Sequence, residues 1–230
     1  MLCIIPARGG SKGIPRKNLR RLGDATLVAH AVRCAAETPG ITRILVSTDD
    51  EEIADEGRRA GAEVPFLRPV ELASDTATAK DAYLHVCAEL EARGSAPIAR
   101  VVVLQPTSPL RLASDVQRAI DELDRRDANA VITVSPAPHP ITWMMRVNED
   151  GVLRPYADVA IVARNRQEED IALVPNGVAF VFRRDFLAAC ISYLSERTFA
   201  VTVPRERAID IDEELDLTLA ELLYRKRTTT

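Results

Sequence analysis

One stretch decides the fold: MLCIIPARGGSKGIPRKN, residues 1–18. Leu2–Ala7 is an apolar run with the length of a buried strand. It breaks into a loop holding three glycines (Gly9, Gly10, Gly13) and four basic residues (Arg8, Lys12, Arg16, Lys17). Glycine lets backbone N–H groups turn toward an anion with no side chain in the way. A loop at the carboxyl end of a first strand is where open α/β sheets place ligands. The combination suits a polyphosphate; a solvated basic connection is the plainer alternative. The spacing gives neither a Walker A loop nor G-x-G-x-x-G.

Outward from this strand, helix-like and strand-like segments alternate, which predicts a mainly parallel sheet covered by helices. A helix is expected over Thr26–Glu37, stopped by Pro39-Gly40, and a strand over Arg43–Ser47. Asp49 with Glu52 reads as the start of a helix running to about Gly61. Glu63–Phe66 reads as a short strand, Lys80–Arg93 as a helix, and Arg100–Leu104 as the clearest strand of the chain. Ser114 with Gln117 opens a helix to about Asp127, and Ala130–Val134 is a further strand. Residues 136–175 lose any regular period and read as an arm that packs against something, since a structureless loop of that length is unusual in a compact domain. Strands at Val178–Phe182 and Phe199–Val203 flank a helix after Arg184. The last helix begins near Glu213, with Leu215, Leu219, Leu222 and Leu223 on one face.

At 230 residues the chain accommodates one large α/β domain and is cramped for two. The net charge of −4 argues against a general nucleic-acid binder. The N-terminal positive charge is therefore local, as a small anionic ligand requires. No segment approaches the roughly 20 apolar residues of a membrane span, and no charged-then-apolar leader opens the chain. Cys3, Cys34, Cys87 and Cys190 are scattered in apolar surroundings and read as reduced core residues. These features together suggest a cytoplasmic protein with no membrane or nucleic-acid partner.

IIPARGGSKGIPRKN resembles the N-terminal signature of the acylneuraminate cytidylyltransferases, or CMP-sialic acid synthetases. FLRPVELASDTA (residues 66–77), LQPTSPLR (104–111), Arg166-Gln167 with PNG at Pro175–Gly177, and DIDEELDLTLAE (210–221) resemble four further segments of that family, in family order across nearly the whole chain. The resemblance implies a single Rossmann-like α/β nucleotidyltransferase domain over residues 1–230, with 136–175 as a protruding dimerisation arm and a homodimer as the assembly. It implies CMP transfer from CTP to the anomeric hydroxyl of a sialic-acid-like nonulosonic acid, with release of pyrophosphate.

The same resemblance assigns residues. Arg8, Gly10, Ser11, Lys12 and Asn18 fall in the nucleotide-binding loop. Arg8 and Lys12 are expected on the β- and γ-phosphates, and Lys17 on the α-phosphate; Arg16 is left to water. Arg68 is expected at the cytosine end of CTP, or else is a surface arginine after a strand. Gln105 should sit at a strand's carboxyl end and reach the acceptor. Arg166 is expected on the sugar carboxylate, for which a guanidinium fork is suited, and Asn176 on its polar substituents. Thr107, Ser108 and Arg111 are weaker candidates, Arg111 as partner of a carboxylate. Asp210 and Asp212, two apart in a short strand, would share a face and suit Mg²⁺ (or Mn²⁺); capping of the last helix by Asp212 is the alternative. Asp216 is read as favourable to the helix dipole. No histidine is a convincing base: His30 and His85 lie in helical patterns, and His139 lies near the start of the arm.

The family pattern departs between Arg166 and Pro175. Glu169-Asp170 replaces a Leu-Pro pair, and Leu173 stands where a tyrosine is expected. The reaction class is therefore clearer than the sugar. A different acidic acceptor, such as a phosphonate or another keto-acid sugar, and a non-catalytic nucleotide-binding protein are the alternatives.

Overall fold

A computed structural model describes residues 1–11, 13–74, 76–156 and 172–228. The chain opens with β1 (Leu2–Pro6), a small hairpin of β2 (Arg21–Leu22) and β3 (Ala25–Thr26), and α1 (Leu27–Glu37). There follow β4 (Arg43–Ser47), α2 (Glu51–Arg59), α3 (Ala79–Ala92), β5 (Arg100–Val103), α4 (Ala113–Arg125) and β6 (Ala130–Pro136). A second hairpin, β7 (Met145–Val147) with β8 (Leu153–Pro155), stands apart from the main sheet. The chain returns through β9 (Leu173–Arg183), α5 (Arg184–Ala189), β10 (Thr198–Thr202) and α6 (Glu214–Thr228).

The six-stranded sheet has the order β10-β6-β9-β5-β1-β4. Only β9 runs antiparallel to its neighbours. The strand pleat sorts side chains between two cores. Cys3 and Ile5 face α1, α2 and α4 together with Val102 and Leu104. Leu2 and Ile4 face α3 and α5 together with Val101 and Val103. A parallel sheet covered on both faces gives continuous apolar runs, and both predicted runs, at β1 and β5, are of this kind.

Several local readings change. Asp50, not Asp49, caps α2, its carboxylate accepting from the Ile53 N–H at 3.0 Å. The expected strand at Glu63–Phe66 reduces to a single bridge between Leu45 and Glu63. α4 opens on Leu112, whose N–H donates to Asp115 Oδ2 at 3.2 Å, not on Ser114 with Gln117. β9 begins at Leu173, five residues ahead of the expected Val178. Of the leucines expected to share one face of α6, Leu215, Leu219 and Leu222 are exposed and Leu223 is partly buried, while Leu217 and Ala220 are buried. The reason is docking, since α6 seats Leu217 and Ala220 on Ile14, Leu22, Leu27 and Leu110, and Tyr224 lies over Gly23. Lys12 and the stretch 157–171, with Arg166, Gln167, Glu169 and Asp170, lie outside the described residues. Among those described, no helix is long and apolar enough to cross a membrane.

Candidate active site

The chain leaves β1 for β4 on one side, then crosses back to β5 on the other. The carboxyl ends of β1 and β5 are therefore a topological switch point, where open α/β sheets bind ligands. A cleft of about 640 Å³ opens there. Of the residues singled out from sequence, it gathers Arg8, Ser11, Lys17, Asn18, Arg68, Gln105, Asp210 and Asp212. Leu72, Ala77, Ala79, Ala82 and Tyr83 supply an apolar flank.

The loop after β1 is pinned from three sides. Asn18 Nδ2 donates to the Arg8 carbonyl at 2.9 Å. The Gly9 N–H donates to Asp49 Oδ1 at 2.9 Å, so this amide faces a carboxylate of the protein and not the cleft. Arg16, in the left-handed region at φ 55°, bonds Asp50 at 2.9 Å and Glu52 at 2.5 Å. It braces the loop against the start of α2 and is not simply turned to water. Gly10 is exposed and off the cleft lining.

Arg68 is buried, which removes the surface-arginine alternative. Its Nη2 donates to the Ser47 carbonyl at 2.6 Å and its Nε to Ser47 Oγ at 3.1 Å. Burial pulls this guanidinium below its ordinary range, with Asp49 and Tyr83 opposing.

Ile209–Asp212 forms no strand, yet the alternation holds. Ile211 is fully buried, its N–H donating to the Thr107 carbonyl at 2.8 Å, and Asp210 and Asp212 both line the cleft. Asp212 does not cap α6. Asp216, inside the first turn of α6, reaches back, its Oδ2 accepting from the N–H groups of Asp212 and Glu213 at 2.9 and 2.8 Å. The Asp212 carboxylate instead accepts from Lys17 Nζ at 2.7 Å. Among the described residues no group of three or more His, Cys, Asp or Glu side chains comes together as a metal cage. Two carboxylates from one segment fit Mg²⁺ nonetheless, because that ion takes one or two carboxylates and completes its shell with phosphate and water.

Asn176, like Gly10, is off the cleft lining. Between the pairs Ile132–Phe180 and Val134–Pro175, residues 176–179 of β9 oppose Thr133 alone. Asn176 fills this bulge: its Oδ1 accepts from the Val178 N–H at 3.2 Å and its Nδ2 donates to Ser135 Oγ at 2.8 Å. The bulge drives Gly177 against the segment that follows β5, where a Cβ would lie 2.3 Å from Gln105 Oε1. Leu173, at the start of β9, is half exposed and does not line this cleft. The sequence reading missed the role of Asp49 as partner of Gly9 and the burial of Arg111. The first had a signal in the carboxylate pair Asp49-Asp50 after β4.

A family model described as cytidylyltransferase matches residues 2–219. The post-translational flagellin modification protein B of Campylobacter coli is 29% identical over 228 residues, covering 99% of this chain and 96% of that protein. The CMP-N,N'-diacetyllegionaminic acid synthase of Legionella pneumophila is 30% identical over 227 residues, covering 97% and 95%. A solved structure of CMP:2-keto-3-deoxy-manno-octonic acid synthetase complexed with CTP shares the fold with a TM-score of 0.71 over 98% of each chain, at 19% identity. The chain belongs to the cytidylyltransferase family and is a cytidylyltransferase.

Proposed function

We propose that this enzyme transfers CMP from CTP to the anomeric hydroxyl of a sialic-acid-like nonulosonic acid. The observation that carries this reading is one cleft at the switch point, with a cationic loop on one wall and Asp210 and Asp212 on the other, joined through Lys17 and Asp212. The sugar oxygen forms a bond to the α-phosphorus while the bond to the pyrophosphate oxygen breaks, in line. Little covalent work falls to the protein, and catalysis is positioning and charge neutralisation. Arg8 and Lys12 hold the β- and γ-phosphates, and Lys17 meets charge developing on the α-phosphate. Ser11 and Asn18 shape the loop, and Arg68 meets the base beside the apolar flank. Gln105 and Arg166 serve the acceptor, Arg166 through its carboxylate. Asp210 and Asp212 are the ligands for Mg²⁺ (or Mn²⁺). Bound there, the ion would neutralise phosphate charge and lower the pKa of the attacking hydroxyl.

The acceptor we favour has a deoxy or methyl-bearing end, as in a legionaminic-type acid. The name of the Legionella relative supports this, whereas Leu173 lies off the cleft lining and adds no support from its position. We place the enzyme in the cytoplasm as a homodimer; four buried free cysteines accord with a reducing compartment.

The test is pyrophosphate release with CTP, Mg²⁺ and a panel of neuraminic, legionaminic and pseudaminic acids, with a phosphonate as outsider. Turnover on a nonulosonic acid is expected. Asp210→Asn and Asp212→Asn should each cost about 10²-fold or more in rate, the scale of losing one electrostatic contact to developing charge. Turnover on the phosphonate alone would overturn the acceptor class, and near-normal rates in both variants would remove the metal assignment.

A further inference from the structure

The wall of the cleft conceals a cation that the roles above leave unused. Arg111 ends the segment LQPTSPLR and is 3% exposed. Its hydrogen-bond partners are two main-chain carbonyls and not the carboxylate that the sequence reading expected; Asp210 acts on it only through charge. Nη2 donates to Gly177 O at 3.0 Å and also to Gln105 O. Nε and Nη1 meet no acceptor among the described residues.

Both carbonyls have a second donor. Gly177 O accepts from the Gln105 N–H at 3.3 Å, and Gln105 O accepts from the Ser108 N–H at 3.2 Å. Removing the guanidinium would orphan neither. Burying a guanidinium with two of its nitrogens unmet is itself costly, and a well-packed apolar side chain of similar volume often serves stability as well or better. Fold stability therefore does not account for this arginine, and its location suggests what does. It sits where the end of β5 meets the bulge of β9. The loop it closes also carries Thr107, whose carbonyl anchors Ile211 between Asp210 and Asp212. The Gln105 peptide is fixed at both its N–H and its C=O, and the residue lines the cleft with its side-chain amide oxygen beside Gly177. Gly177 completes the fit, since any Cβ there would collide with the Gln105 amide at 2.3 Å and with Ser108 Oγ at 2.6 Å.

We propose that Arg111 is a positioning residue for the transfer: by bridging the carbonyls of Gln105 and Gly177 it sets the Gln105 amide in register with Asp210 and Asp212, and so orients the acceptor. This inference rests on the function proposed above and deepens it.

The experiment compares Arg111→Met, Arg111→Lys, Gln105→Ala and the double variant Arg111→Met/Gln105→Ala. In Arg111→Met the melting temperature should hold or rise and KM for CTP should stay unchanged. kcat/KM for the acceptor should fall by about ten- to a hundredfold, as for a small misplacement of a reacting group. Arg111→Lys should recover part of that loss. Gln105→Ala should show the same defect, and the double variant should be no worse than either single one, because the arginine acts through the glutamine. Additive losses in the double variant, or unchanged acceptor kinetics with a lowered melting temperature in Arg111→Met, would overturn the proposal. If Arg111→Met does not fold, wild-type acceptor kinetics in Arg111→Lys would overturn it. Should the wild-type enzyme release no pyrophosphate with any acceptor, the functional reading fails. The lock is then judged by hydrogen exchange at the Gln105 amide, where about tenfold faster exchange in either Arg111 variant supports it and unchanged exchange overturns it.

Discussion

A Cβ on Gly13 would stand 2.2 Å from the carbonyl oxygen of Asp212. The glycine is there for close approach: it lets the nucleotide loop lie against the segment that carries the two aspartates. Gly13→Ala must push these segments apart by roughly an ångström, a displacement that can cost about 10²-fold in rate. The core gains and loses nothing directly. The expected outcome is a fall in kcat of that size with only a small drop in melting temperature; loss of both in parallel would mean that the contact is mainly structural. At this scale the sequence was legible where chemistry shows in residue type. Asp210 and Asp212 are carboxylates two apart that alternate with Ile209 and Ile211, and alternation alone turns them to one side. Arg111 and Asn176 were not legible, because what matters for them is burial and partner. An arginine reads as a surface cation until β9 closes over it, and an asparagine in PNG reads as a ligand until a bulge needs its amide.

Asp115 joins two elements that the sequence separates by 92 positions. Its buried carboxylate at the start of α4 accepts from Arg207 Nε at 2.9 Å and Nη2 at 3.0 Å, from Arg118 at 2.8 Å and from the Leu112 N–H at 3.2 Å. The turn at Arg205–Arg207 leads directly into Ile209–Asp212, so this clamp anchors the segment that presents the aspartates. Burial alone would raise the Asp115 pKa; the bonds from Arg207, Arg118 and Leu112 outweigh it and hold the carboxyl below its ordinary 3.8. The clamp's stability is therefore complete above that value and is lost as pH falls through the lower folded-state pKa. Asp115→Asn should cost about 2–3 kcal/mol at neutral pH, because the exposed faces of both arginines can be rehydrated. Denaturant midpoints at pH 7, 4 and 3 should show the gap between variant and wild type shrinking below pH 4; a constant gap would put the effect in packing and not in charge. Element types were legible through apolar runs and glycine stops. The bulge of β9 and the facing of α6 were not, since both are settled by neighbours distant in sequence.

Among the described residues the largest group of exposed apolar side chains lies on one feature. Ile141, Trp143, Met144, Met145, Val147 and Leu153 lie on the β7–β8 hairpin and its approach, with Leu173 and Val174 where the chain re-enters the main sheet. An isolated two-stranded hairpin is marginal in water, and a contiguous apolar patch on a soluble protein marks an interaction surface. A second copy of the chain is the partner that the family resemblance implies. The stretch that carries the patch also carries Arg166 and leads into Gly177, so an arm committed to dimerisation would be coupled to the sugar side of the cleft and not to the nucleotide side. Two outcomes follow. Wild-type protein should sediment as a dimer at micromolar concentration, and Met145→Asp combined with Val147→Asp should give a monomer whose sheet and melting behaviour are preserved, because neither side chain enters the main core. That monomer should keep its KM for CTP, whose loop and flank lie within one chain, and should lose about tenfold or more in kcat/KM for the sugar, the scale of a disturbed substrate pocket. A monomeric wild type would remove the dimer, and a monomeric variant with unchanged sugar kinetics would confine the arm to assembly.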